Sequence, residues 1–181
     1  RGLVPPDEFI PLFERTGLVV DLDLQVFRLV CARIREQLDA GEHPLVIACN
    51  FSRLHFLDDS FADALKGIVD RYAVPPSYLC AEITESAFVE DFDTVIGQVK
   101  RLHEHGFSVA MDDFGSGYSS LNMLKDIDVD VLKIDMQFLS GGESPGKGKI
   151  ILESVIQMAN NLGMPVIMEG VETQEQKRFL Y

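Results

Sequence analysis

From residue 45 to residue 168 the chain repeats one unit, a short unbroken apolar run followed by a longer stretch of helical periodicity. The apolar runs fall at 45–49 (LVIAC), 78–83, 107–111, 129–134 and 165–168. Helical spacing is expected over 61–72, where Pro75-Pro76 follows as a breaker, over 92–105, 118–125 and 150–161, and from 173 onward. Ahead of the first run lie two more helices. Residues 6–15 carry Phe9, Ile10, Leu12 and Phe13 and stop at Gly17. Residues 21–38 repeat Leu22, Val26, Val30, Ile34 and Leu38, with Leu29 beside them, and close at Gly41. Residues 140–149, with glycines at 141, 142, 146 and 148, read as a flexible loop.

Strands this uniformly apolar are expected to be buried on both faces, and alternation with helices calls for a parallel α/β sheet. Two architectures satisfy it, an open doubly wound sheet and a (β/α)8 TIM-like barrel. No GxGxxG or P-loop follows the first strand, which removes the usual support for the open nucleotide-binding sheet. A barrel needs eight strands and about 250 residues. Five units in 181 residues are therefore expected to form an incomplete barrel, and the sequence ends inside a helical pattern.

Composition narrows the functional classes. Hydrophobic residues make up 46% and charged residues 25%, the balance of a globular protein with a core. No apolar run reaches the length of a membrane span, and the expected location is cytoplasmic. With 16 basic against 29 acidic residues the net charge is −13, which disfavours binding to duplex nucleic acid. A small phosphorylated ligand remains possible where cations offset the charge. Cys31, Cys49 and Cys80 form no CxxC motif and read as reduced core thiols. His43, His55, His103 and His105 show no ligand spacing and read as surface or boundary residues.

Polar residues gather at the carboxyl end of every expected strand: Asn50, then Glu82 and Glu85, Asp112-Asp113, Lys133 and Asp135, and Glu169 with Glu172. That rim is where barrel enzymes assemble their sites. Taken singly, Asp113 reads as a helix cap and Glu82 as a surface group. Five successive strand ends of this kind are a different matter. Carboxylates drawn to one mouth repel one another unless a cation neutralises them. Oxygen donors without histidine or cysteine suit hard ions such as Mg²⁺ or Mn²⁺. Adjacent Asp112 and Asp113 allow one carboxylate to bridge two ions, and a two-ion site suits in-line attack on a phosphate ester. Lys133, on the same face of its strand as Asp135, could orient the nucleophile or offset developing charge.

The segments GLVPPDEFIPLFERTG at the start, CNFS at Asn50, EITES at Glu82, DDFGSGYSSL at Asp112, KID at Lys133 and EGVETQEQ at Glu169 resemble the bacterial EAL family, in family order and along the whole chain. The resemblance implies a (β/α)8-like barrel that hydrolyses cyclic di-GMP to linear pGpG, with a receptor that binds without hydrolysis as the alternative. It implies that Asn50, Glu82 and Asp112 hold a first Mg²⁺ or Mn²⁺, and that Asp112, Asp113 and Glu169 hold a second. It further implies that Lys133 contacts the attacking water, that Glu169 is catalytic, and that Glu85 and Glu172 hold the loop of Phe114, Gly115, Ser116 and Gly117. Asp135 is expected as a substrate or structural contact. A homodimer contact near that loop and a fused cyclase-like or sensory domain are implied as well. Residues 1–181 would be one domain whose EAL-bearing first strand and last strand lie outside this sequence, so that the fragment alone is expected to be inactive. Met136 stands where the family commonly has arginine.

Overall fold

The computed structural model describes residues 2–115, 121–135 and 145–180. Helices α1 (Pro6–Thr16) and α2 (Leu18–Asp39) meet at Gly17, whose φ of 77° lets the chain turn without breaking either helix by more than one residue. Five strands follow, β1 (Ile47–Phe51), β2 (Leu79–Thr84), β3 (Ser108–Asp112), β4 (Val131–Asp135) and β5 (Val166–Glu169). Between and after them lie α3 (Phe61–Tyr72), α4 (Glu85–Glu90), α5 (Phe92–Glu104), α6 (Leu121–Asp126), α7 (Pro145–Asn161) and α8 (Gln174–Leu180).

The strands form one parallel sheet in the order β1-β2-β3-β4-β5. Each strand lies beside its sequence neighbour, with no reversal of the kind that defines a doubly wound sheet. This is the winding of a barrel, and among the described residues the sheet ends at β1 and β5. Against one face pack α2, α3, α5 and α7. Phe27 of α2, 1% exposed, has its ring 5.7 Å from Phe51 of β1 and 6.3 Å from Phe107 just before β3. Leu65 and Val69 of α3, Val99 and Leu102 of α5 and Leu152 and Ala159 of α7 complete that layer with Ile83, Met111, Leu132 and Ile134 of the sheet.

Several expectations need correction. The first strand starts at Ile47 rather than 45, leaving Leu45 and Val46 at 83% and 58% exposure. Pairing begins with Ile47 opposite Leu79, and the residues before Leu79 form a short 3₁₀ turn, Pro76–Tyr78, which offers no ladder. Burial on both faces holds for β2, β3 and β4 but not for the outer strands, where Ala48 and Asn50 of β1 and Ile167 of β5 are exposed. On α2 the buried stripe is Val19, Phe27, Cys31 and Ile34; Val26 and Leu29 face outward. Turning Phe27 inward buries the largest apolar group of the helix. Residues 145–149 are helical rather than a loop, because Pro145 at the first position has the φ a helix needs and no N–H to lose. Helix α4 and the 3₁₀ turn Arg53–Leu57 carry no periodicity long enough to signal them.

Candidate active site

Strand register puts the polar residues of the rim on one face of the sheet. Asn50 pairs with Glu82, Thr84 with Asp112, and Asp135 with Glu169. Lys133 lies two residues before Asp135, and Val131 two before Lys133 pairs with Ala110, two before Asp112. With side chains alternating along each strand, all seven project opposite to the helix-covered face.

Three of those carboxylates converge on one ammonium. Lys133 Nζ lies 2.6 Å from Glu82 Oε1, 2.8 Å from Glu169 Oε1 and 3.3 Å from Asp112 Oδ1. The side chains of Lys133, Glu82 and Asp112 are 9%, 7% and 14% exposed, while Glu169 is open at 43%. Burial on its own would pull the lysine pKa down. The hydrogen bonds it donates to Glu169 and Glu82 and the charges of Asp112 and Glu82 outweigh it and hold the ammonium above the ordinary lysine value. Lys133 is thus a fixed positive charge rather than a base.

Asp113 follows with φ at 56°, a left-handed conformation that costs a non-glycine residue about 1 kcal/mol. Its own N–H donates to Asp112 Oδ1 at 2.9 Å, one source of compensation. Its carboxyl pKa is raised, first by partial desolvation and then by the charges of Asp112, Asp135 and Glu169, with Lys133 opposing. The strand end is crowded with negative charge.

Beyond it the chain is tied back twice. Phe114, 5% exposed, donates its N–H to the carbonyl of Lys133 at 3.1 Å. Gly115, at φ 91°, donates its N–H to Glu85 Oε2 at 2.7 Å, and Glu85 is 2% exposed at the start of α4. Glu172 is exposed, and its N–H donates to Gln176 Oε1. Ser116 and Gly117 lie outside the described residues. Among the described residues Asp113 does not cap a helix, since Phe114 and Gly115 after it form a turn. Asn50 reaches the open part of the face, and among the described residues its side chain makes no hydrogen bond or ion pair.

One polar group was not expected from sequence. His55 is 4% exposed rather than a surface or boundary residue, its Nε2 3.1 Å from Asp23 Oδ2 of α2. Partners so far apart in sequence leave no local pattern. His103 and His105 behave as expected, each at a partly exposed ion pair, with Asp130 and with Asp63.

Among the described residues no three acidic, histidine or cysteine side chains are arranged to hold a metal ion as they stand. The place central to Glu82, Asp112 and Glu169 is taken by the Lys133 ammonium. The donor set nevertheless fits a hard dication. All its atoms are carboxylate or amide oxygens, three already gather around a cation, and the Asp113 carboxyl pKa is raised by partial desolvation and its neighbours' charge.

The chain matches the EAL domain model over residues 1–181. It is 35% identical over 180 residues to the bifunctional diguanylate cyclase/cyclic di-GMP phosphodiesterase MucR of Pseudomonas aeruginosa, covering 99% of this chain and 26% of that protein. It is 34% identical to the probable cyclic di-GMP phosphodiesterase PdeG of Escherichia coli, covering 99% of this chain and 35% of the relative. The chain thus spans about a quarter to a third of these curated relatives. Among solved structures, the phosphodiesterase PaMucR in complex with c-di-GMP superposes with a TM-score of 0.90 at 34% identity, over 99% of this chain and 73% of that one. The EAL domain of Mycobacterium smegmatis DcpA gives 0.78 at 36% identity, over 90% and 73%.

Proposed function

This chain belongs to the EAL domain family, and from that premise we propose that it is the hydrolytic module of a longer signalling protein, cleaving cyclic di-GMP to linear pGpG. The observation that carries this reading is the convergence of Glu82, Asp112 and Glu169 on Lys133 with Asp113 beside them. In this reading Asn50, Glu82 and Asp112 would hold one Mg²⁺ or Mn²⁺, and Asp112, Asp113 and Glu169 the other. Such a pair supplies Lewis-acid stabilisation of charge on the phosphate.

The protein groups account for the rest. Water oxygen bonds to phosphorus, one phosphoester P–O bond breaks, and the ribose hydroxyl released takes up a proton. Lys133, protonated and buried, donates a hydrogen bond to the water or the phosphate oxygens and stabilises charge as it grows. Glu169 is the most open of the three carboxylates and can accept the proton that water loses. Glu85 keeps the Phe114-Gly115 backbone against β4, so that Asp113 stays beside Asp112. Asp135, in register with Glu169, adds a polar contact on the same face.

The test is direct. The full-length protein is incubated with cyclic di-GMP and Mg²⁺ or Mn²⁺, and products are separated by chromatography. Appearance of pGpG, abolished in Asp112→Asn, is the expected result. Tight binding of cyclic di-GMP with no pGpG under any metal condition would replace the enzyme by a receptor.

A further inference from the structure

The His55–Asp23 pair lies just behind Asn50, and no step above uses it. Asp23 on α2 is 13% exposed at its side chain and His55 3%. A single oxygen, Asp23 Oδ2, accepts the backbone N–H of Ser52 at 2.9 Å and sits 3.1 Å from His55 Nε2. The imidazole is wedged between aromatic rings, edge-on to Phe51 at 5.4 Å and 4.7 Å from Phe61. Phe51 is in turn held by Phe27. The two residues that follow Asn50 are thus pinned. Phe51 is fixed by packing and Ser52 by a buried carboxylate, while the Asn50 side chain, on the open face, is unpaired among the described residues.

We propose that Asp23 and His55 are positioning residues that fix the end of β1 so that the Asn50 amide oxygen points at the cation site. The proposal rests on the reading of Asn50 as a ligand. A carboxylate this buried is costly unless paired, and its two acceptor contacts both go to the turn that follows Asn50. Groups that orient ligands from behind typically change metal affinity by about tenfold or more.

The test is a double-mutant cycle in the full-length protein, reading Mn²⁺ affinity by titration calorimetry and folding by thermal unfolding. Asp23→Ala and Asn50→Ala should each weaken Mn²⁺ binding about tenfold. Combined, they should be no weaker than Asn50→Ala alone, because Asp23 acts through Asn50. Asp23→Asn, which keeps an acceptor for the Ser52 N–H, should recover part of the affinity and the fold. Additive losses in the double variant would overturn the positioning role while leaving Asn50 a ligand. No loss in Asn50→Ala would overturn both the positioning role and that ligand assignment.

Discussion

Lys133 occupies the place among the carboxylates that a dication would share, and this gives its removal two opposite effects. With the ammonium gone, Glu82, Asp112 and Glu169 repel one another uncompensated, so Lys133→Met should bind Mn²⁺ about tenfold more tightly by calorimetry. The same variant should lose turnover of cyclic di-GMP by at least about 100-fold, the scale of an electrostatic or proton-handling group. Glu85 works at one remove. Glu85→Ala leaves the Gly115 N–H without its acceptor, and pGpG formation should fall about tenfold or more while the unfolding midpoint moves little. Unchanged turnover would show that the loop keeps its place without Glu85. At this scale the sequence was informative wherever a residue's position relative to a strand end was enough. The two-residue period placed Lys133 with Asp135, and the rim pattern collected Asn50, Glu82, Asp112 and Glu169 on one face. It was uninformative for His55 and Asp23, because an ion pair between a helix and a distant turn has no spacing to read.

Element by element, the alternation of apolar runs and helical periods predicted all five strands, and each begins within two residues of its expected start. The disagreements sit where a neighbour rather than the chain itself decides. Leu45 and Val46 have strand composition but no strand to pair with, because the opposite segment is a 3₁₀ turn. The buried stripe of α2 runs through Phe27, with Val30 packed partly against the core and Val26 facing outward, since the ring fills the space between Phe51 and Phe107. Glycine content suggested a loop at 145–149, whereas a proline at the helix start outweighed it. The packing of α2 can be tested on its own. Phe27→Ala removes a fully buried ring that spans β1 and the entry to β3, and should destabilise the protein by about 3–5 kcal/mol in urea unfolding. A loss below about 1 kcal/mol would mean that α2 is held mainly by other contacts.

Across the whole molecule, Cys31 and Cys49 lie in the layer between helices and sheet and Cys80 on the opposite face of β2, the face of Glu82; all three are free thiols and all are buried. Burial pushes the Cys31 thiol up to about 11 and the Cys49 thiol up to about 12, the latter also raised by Cys31, Glu82 and Cys80. Cys80 is raised as well, by burial first. In the unfolded chain these groups ionise near the ordinary value of 9.0. The folded form therefore binds more protons than the unfolded form between about pH 9 and 12, and stability falls as pH rises through that window. Below pH 9 both forms carry neutral thiols, and the contribution is fully present. The chain's net charge of −13 works in the same direction, because added anions increase repulsion in a compact acidic protein. Substituting Cys31 and Cys49 together by alanine should flatten the fall in urea-unfolding free energy between pH 9 and 11, even though the variant starts from lower stability at pH 7. Thiol labelling supplies a second reading of the same property. Thiols held neutral inside the core react only after opening, so labelling of the unsubstituted protein at pH 8 should follow the unfolding transition in urea rather than precede it. Rapid labelling of Cys31 and Cys49 without denaturant would show that the helix–sheet layer opens locally, and would remove the basis for the alkaline slope.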